Sequence, residues 1–286
     1  MERSDADERR PAARAGRRIL IGGAPAKEWP AAGPEPRPPI ALLHGFAGAP
    51  ESFDELAALL PEDRRVVALA LPGHDPAAPI EPRGGFEGAA ARIAAAVAAL
   101  GRGATLCGYS LGARLALAAA LLRPEIAAEL VLVGVNPGLA DPAARASRAA
   151  WDAEWAARLR AEGIEAFAAA WEALPLFATQ RALPEEKRAA QRALRLRGDA
   201  ASLAAAMETL GLAAMPDYAP RLAELAAPTT LVAGGLDAKF RAIAAAAAPS
   251  LRRGRFVVAP GAGHNVVLEA PAFLAGLLAD RPRAAR

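Results

Sequence analysis

The chain has 286 residues and a formal net charge of only +3, with 34 basic residues against 31 acidic ones. That length accommodates one large α/β domain with an insertion, while the near balance of charge and the lack of a basic tract interleaved with aromatics exclude a nucleic-acid partner. One cysteine, Cys107, excludes an internal disulfide and a cysteine-cluster metal site, and no apolar run approaches the roughly 20 residues of a membrane span. The charged N-terminus lacks the apolar segment of a secretory signal, so the expectation is a cytoplasmic protein without metal or other cofactor. Only Lys27, Lys187 and Lys239 are lysines in this alanine-rich chain. Such a bias for arginine reflects codon usage, and arginine abundance by itself says little about anion binding.

Residues 1–17 are charged and lack apolar periodicity, which predicts a disordered tail. Residues 30–39 hold five prolines and read as an extended connection. Apolar runs then alternate with alanine-rich helical stretches: 40–43, 66–71, 104–109, 130–135, 229–232 and 255–258. Their near-continuous apolarity fits parallel strands covered on both faces, and the alternation predicts an α/β fold with a doubly wound, mostly parallel sheet. The rhythm breaks over 137–216, where Trp151, Trp155, Phe167, Trp171 and Phe177 lie on helical patterns without a strand-like run. A helical lid over the C-terminal ends of the strands is expected there, with 18–136 and 217–286 forming the core. Cys107, inside a predicted central strand, reads as a small buried hydrophobe.

The chemistry concentrates in Gly108-Tyr109-Ser110-Leu111-Gly112, which joins an apolar strand to an alanine- and leucine-rich helix. A sharp strand-to-helix turn exposes the serine hydroxyl at the helix's positive end, and the flanking glycines let strand and helix pass closely. Asp237 follows a later strand and His264 a still later one, giving the order Ser…Asp…His. In this arrangement His264 is the base, and Asp237 accepts its Nδ1–H and fixes the tautomer. His44 ends the first strong strand and is the rival base or an organiser of the neighbouring loop; His74, on a tight turn, reads as structural. The backbone N–H groups of Leu111 and Phe46 are the expected oxyanion-hole donors.

These features resemble the α/β-hydrolase superfamily over residues 39 to about 279. Leu43-His44-Gly45-Phe46, Leu71-Pro72-Gly73-His74, Gly108 to Arg114, Asn136-Pro137-Gly138-Leu139, Trp171 to Phe177, Leu236 to Phe240 and Gly263-His264-Asn265 carry a narrower likeness. They resemble the bacterial menaquinone-pathway synthase that makes 2-succinyl-6-hydroxy-2,4-cyclohexadiene-1-carboxylate. The resemblance implies a lyase in which Ser110, activated by His264 and Asp237, abstracts a proton next to a ketone and pyruvate leaves. It implies a small-molecule polycarboxylate as partner, met by Arg114, Arg148 and Arg195, with Arg192 a competitor for the third place. His44, Tyr109, Trp171 and Lys239 complete the implied substrate pocket. Ala113 departs from the family's usual glycine, the N-terminal extension is unusual, and residues 201–207 keep only a loose likeness. The alternative is a hydrolase of the same fold, either a carboxylesterase or a carbon–carbon bond hydrolase; an intact Ser/Asp/His set disfavours a non-catalytic binding protein.

Overall fold

In the computed structural model, which describes residues 14–33, 37–80 and 84–279, the chain opens with a hairpin. β1 (Arg17–Ile21) and β2 (Ala24–Trp29) run antiparallel, joined by Gly22 and Gly23 at φ 54° and 80°. Two successive positive φ values are what a two-residue hairpin turn of matching twist needs, and glycine adopts them without penalty. Six further strands follow: β3 (Arg37–Leu43), β4 (Arg64–Leu69), β5 (Thr105–Tyr109), β6 (Glu129–Val133), β7 (Thr229–Gly234) and β8 (Gly254–Ala259). They form one sheet in the order β1-β2-β4-β3-β5-β6-β7-β8, parallel from β4 to β8.

The helices fall on both faces of this sheet. α1 (Asp54–Leu59) follows β3, α2 (Gly85–Ala98) follows β4, α3 (Leu111–Leu122) follows β5 and α7 (Ala238–Ala247) follows β7, while α8 (Val266–Glu269) and α9 (Pro271–Ala279) close the chain. Between β6 and β7 come α4 (Pro142–Glu172), α5 (Glu185–Leu196) and α6 (Ala200–Leu210). Alternate strand residues serve opposite layers, as the period of two requires. Ala41, Leu43, Leu106 and Leu132 pack with α2 and α3, whereas Ile40, Leu42, Cys107 and Val133 pack with α1, α8 and α9. Alanine dominates α2 and α3 because it is the best helix former and its small side chain lets a helix lie close to the sheet. Burial pushes the Cys107 thiol up to about 12, consistent with an inert core residue.

All six expected strands are present, their ends shifted by at most three residues, and the mostly parallel, helix-covered sheet is as anticipated. The hairpin β1–β2 was not anticipated, because its runs are short and interrupted by Lys27 and Glu28. It changes two expectations. Of the tail predicted over 1–17, residues 1–13 lie outside the described residues, but Arg17 opens β1, and the Arg14 guanidinium donates to the carbonyls of Trp29 and Arg64 at 3.2 and 2.7 Å. Within the proline-rich stretch, residues 34–36 lie outside the described residues, and Arg37–Pro39 already belong to β3.

The segment between β6 and β7 builds its own core. Trp155, Leu159, Phe167, Trp171 and Phe177 are buried together with Leu203 and Met207 of α6. α4 is broken at Gly163, where φ is 80°, so its two halves are separate helices across a kink. Phe46 packs its ring against Phe167 and Trp171 at 6.1 and 5.4 Å between centroids, so this aromatic cluster rests directly on the loop after β3. Among the described residues, no helix is long and apolar enough to cross a membrane.

Candidate active site

β5 ends at Tyr109 and α3 starts at Leu111, leaving Ser110 alone in the turn with φ 52° and ψ −108°. A non-glycine residue held there stores on the order of 1–3 kcal/mol of strain. The tightness of the turn explains both neighbours. A Cβ on Gly108 would lie 2.4 Å from the carbonyl oxygen of Gly112, and one on Gly112 would lie 2.2 Å from that of Leu43. The Ser110 N–H donates to Val133 at 2.8 Å, which ties the strained turn to β6.

β7 and β8 deliver the other two groups. Asp237, at the start of α7, uses one carboxylate oxygen to accept the N–H of Phe240 at 3.1 Å and the other to accept Nδ1–H of His264 at 2.8 Å. That bond leaves Nε2 of His264 facing the Ser110 hydroxyl, 3.3 Å from Oγ. The serine hydroxyl thus donates towards an imidazole whose opposite nitrogen is held by a buried carboxylate. The ring is walled by Phe240, Tyr109 and Phe177 at 4.3, 5.4 and 6.3 Å. Gly134, with φ 60°, leaves the remaining space, since a Cβ there would lie 2.8 Å from Cε1 of His264.

The three groups open into a cavity of about 830 Å³ beneath the helices of 142–210. Phe46 and Leu111 line it beside Ser110. Leu111 is the first residue of α3, where an N–H has no acceptor within the helix. Also in the lining are His44, Tyr109, Arg114, Arg148, Trp171, Arg195 and Lys239, so the structure brings the three Ser/Asp/His groups, the two expected oxyanion-hole residues and these seven to one cavity. It does not place Arg192 there: that side chain turns outward onto Glu172 at 2.7 Å, and Arg195 is the one that enters.

His44 takes the place of a loop organiser, one of the roles open to it above, with neither nitrogen free for that of rival base or pocket ligand. Its Nε2 accepts the N–H of Leu71 at 3.1 Å, so Nδ1 carries the proton and donates to Gly45 at 2.9 Å. Both nitrogens are committed to backbone, and neither is left for a ligand or for proton transfer. Burial, reinforced by the neighbouring His74, pulls His44 down to about 3, and burial pulls His74 down to about 4. The pair, 5.2 Å apart, is a neutral brace beneath the Gly45-Phe46 turn.

The arginines share one design. Arg114, four residues after Ser110, is only 9% exposed; it donates to the Leu210 carbonyl at 2.8 Å and lies 5.7 Å from the Phe86 ring centre. Burial and the adjacent Arg148 cation pull its guanidinium down to about 9, against the opposing pull of Asp152. Arg148 binds Asp152 at 2.8 Å and stacks on Trp151 at 4.5 Å. Arg195, 4% exposed, donates Nη1 to Glu172, while its buried Nε has no hydrogen-bond partner. Burial lowers the Arg195 guanidinium, and Glu172 partly restores it. Tyr109 sits nearby with its hydroxyl raised above the usual phenol range by burial and by Glu269. Lys239 places its ammonium 5.8 Å from the Phe240 ring centre.

Three residues escaped the sequence reading. Asp152 was legible in principle, since it stands one helical turn after Arg148. Glu172 lies 20 and 23 residues from the arginines it binds, and no local pattern reveals it; Glu269, which grips the loop of His264, stands six and four residues after the amides it accepts.

The model of the alpha/beta hydrolase family matches residues 40–277. The 2-succinyl-6-hydroxy-2,4-cyclohexadiene-1-carboxylate synthase of Enterobacter sp. (strain 638) is 37% identical over 244 residues, covering 85% of this chain and 91% of that protein. The synthase of the same name from Escherichia coli O1:K1 / APEC is 34% identical, covering 85% and 93%. The structure of MenH from S. aureus superposes with a TM-score of 0.83 at 28% identity, covering 88% of this chain and 96% of that one. The chain therefore belongs to the alpha/beta hydrolase family and, within it, to the family of 2-succinyl-6-hydroxy-2,4-cyclohexadiene-1-carboxylate synthases.

Proposed function

We propose that this protein is a lyase that eliminates pyruvate from 2-succinyl-5-enolpyruvyl-6-hydroxy-3-cyclohexene-1-carboxylate, giving 2-succinyl-6-hydroxy-2,4-cyclohexadiene-1-carboxylate in menaquinone biosynthesis. The observation that carries this reading is the pairing of the Ser110–His264–Asp237 chain with two nearly buried arginines, Arg114 and Arg195, in one cavity. A neutral substrate offers nothing to repay the desolvation of those cations, whereas a substrate with three carboxylates does.

His264 takes the Ser110 proton, and the serine oxygen removes the proton next to the substrate's ketone. The carbonyl oxygen becomes an enolate held by the N–H groups of Phe46 and Leu111, with the dipole of α3 behind it. The electron pair then runs through the ring double bond and breaks the bond from the ring to the enolpyruvyl oxygen; pyruvate departs as its enolate and gains at carbon one proton, equal to the one abstracted, so the triad is restored and no water is consumed. Arg114 and Arg148 receive one end of the substrate and Arg195 the other, with Lys239, Tyr109 and Trp171 between them. His44 holds the Phe46 turn from beneath. The helices of 137–216 act as a lid on the core formed by 18–136 and 217–286, and their aromatic core keeps water from the enolate.

A second reading, hydrolysis of a carboxylate-bearing ester, is favoured by the 3.3 Å approach of Ser110 Oγ to His264, which suits acyl transfer equally well. One experiment separates them. With the enolpyruvyl precursor the purified protein releases pyruvate faster than the spontaneous background, and p-nitrophenyl esters turn over slowly without an acyl-enzyme burst. A stoichiometric burst with no pyruvate release assigns the site to the hydrolase.

A further inference from the structure

His264 is carried on the loop after β8, which holds two glycines, Gly261 at φ 70° and Gly263. Such a backbone has more freedom to lose than any other, and nothing in its local sequence makes it rigid. Yet the proton relay tolerates little slack, because Nε2 already stands 3.3 Å from Ser110 Oγ. The Leu236 N–H donates to the Ala262 carbonyl at 2.9 Å and Asp237 holds the imidazole itself, but the two amides flanking His264 are held by one side chain. Glu269, the last residue of α8, accepts the N–H of Gly263 with one oxygen at 2.8 Å and that of Asn265 with the other at 3.2 Å. These are the residues on either side of His264. The Glu269 N–H returns to the Asn265 carbonyl at 2.8 Å, and the Asn265 side chain accepts from Leu268 at 3.2 Å, so residues 263–269 close into a ring. Thr179 also presses close: a Cβ on Gly263 would lie 2.0 Å from its hydroxyl oxygen and 3.0 Å from a carboxylate oxygen of Glu269. Glu269 itself does not line the cavity.

We propose that Glu269 is a positioning residue for His264: by clamping both flanking amides with one carboxylate, it sets the distance from the imidazole to Ser110. The inference rests on the reading of His264 as the base. An ionised carboxylate is the group for this task, since it only accepts, and both its oxygens face donors. Glutamine supplies one acceptor and sets its NH2 against the second N–H; alanine removes both.

The test uses Glu269→Gln and Glu269→Ala, in the parent and in a His264→Ala background. Pyruvate release and labelling of Ser110 by a fluorophosphonate are followed together, because the second reports the serine whatever the natural substrate. Glu269→Ala lowers kcat by about 10- to 100-fold with KM unchanged, the penalty expected for misplacing a catalytic group by about 1 Å. Glu269→Gln falls between, and labelling slows in the same proportion. The downfield proton resonance of the His264–Asp237 hydrogen bond broadens in both variants, and in the His264→Ala background neither substitution costs anything further. If Glu269→Gln or Glu269→Ala keeps kcat and labelling within twofold of the parent, at whatever stability, the clamp is refuted. Parent-like labelling in His264→Ala alone would instead overturn the base assignment, and the clamp with it.

Discussion

Arg114→Ala tests the polycarboxylate assignment most directly, because Arg114 spends most for its position. Its guanidinium is nearly buried, its one hydrogen bond goes to a neutral carbonyl, and its nearest charged neighbours are Arg148 and Asp152. Asp152 is already engaged by Arg148 at 2.8 Å, so the group of three carries one positive charge in excess, facing the cavity. A substrate carboxylate bound there is desolvated on arrival, and removing one partner of such a pair costs roughly 2–5 kcal/mol. Arg148 remains and takes up part of the charge, which places the expected loss near the lower end, about 2–3 kcal/mol. That is a fall of roughly 30- to 150-fold in kcat/KM. Arg114→Lys recovers only part of it, since an ammonium keeps the charge but not the planar fork. Folding stability responds differently. The variant leaves the Leu210 carbonyl without its donor, at about 1–3 kcal/mol, but also removes the repulsion from Arg148, so the net change stays small. The assay is initial-rate pyruvate release across substrate concentration, with a thermal melt beside it. Unchanged kcat/KM in a folded Arg114→Ala protein refutes the carboxylate role and leaves only the generic hydrolase site.

Ser110→Ala, His264→Ala and Asp237→Asn each abolish most pyruvate release while the melting curves stay near the parent, and combining them costs little beyond the worst single change. Asp237→Asn is informative because Asp237 serves two donors, Phe240 N–H and His264 Nδ1–H, and an amide offers only one oxygen for both. Additive losses in the double variants speak against a relay. Acid sensitivity follows from His44 and His74, whose folded values of about 3 and 4 lie below the 6.5 of the unfolded chain. The unfolded state binds the proton first, so their contribution is complete above pH 6.5 and is lost as pH falls to about 4 for His74 and to about 3 for His44, by about 1.4 kcal/mol per unit for each histidine. Denaturant unfolding at pH 7 and pH 5 measures this, and His74→Asn flattens the slope; a slope unchanged in that variant assigns the acid limb to other groups.

Much of this protein is written locally. The strands at 40–43, 104–109 and 130–135 are legible because near-continuous apolarity has no other soluble use at that length. The elbow at Ser110 is legible because its flanking glycines answer a steric demand: Gly108 faces the backbone of Gly112, four residues on, at a distance no side chain permits, while Gly112 faces that of Leu43 on the neighbouring strand. The order Ser110, Asp237, His264 needs only that parallel strands deliver their loops to one end of the sheet, and the structure joins them at 2.8 and 3.3 Å. The hairpin at 17–29 was legible in its Gly-Gly turn but masked by charged residues in its strands.

What the sequence could not decide is which polar groups meet across the fold. Arg192 and Arg195 stand three residues apart on one helix and both bind Glu172, and only the docking of α5 against α4 buries Arg195 in the cavity wall while leaving Arg192 half-exposed. His44 lies in the right motif for a ligand, yet the N–H of Leu71 from the neighbouring strand's end claims its second nitrogen. Glu269 reads as an ordinary helix residue until the loop folds back and presents two amides to it. The physical reason is common to the arginines and His44, while Glu269 reaches amides only four and six residues before it, in a loop whose two glycines leave its local conformation open. Backbone sterics and apolar periodicity act between residues close in the chain, whereas a hydrogen bond or ion pair depends on direction and distances of a few ångströms between groups that only packing brings together.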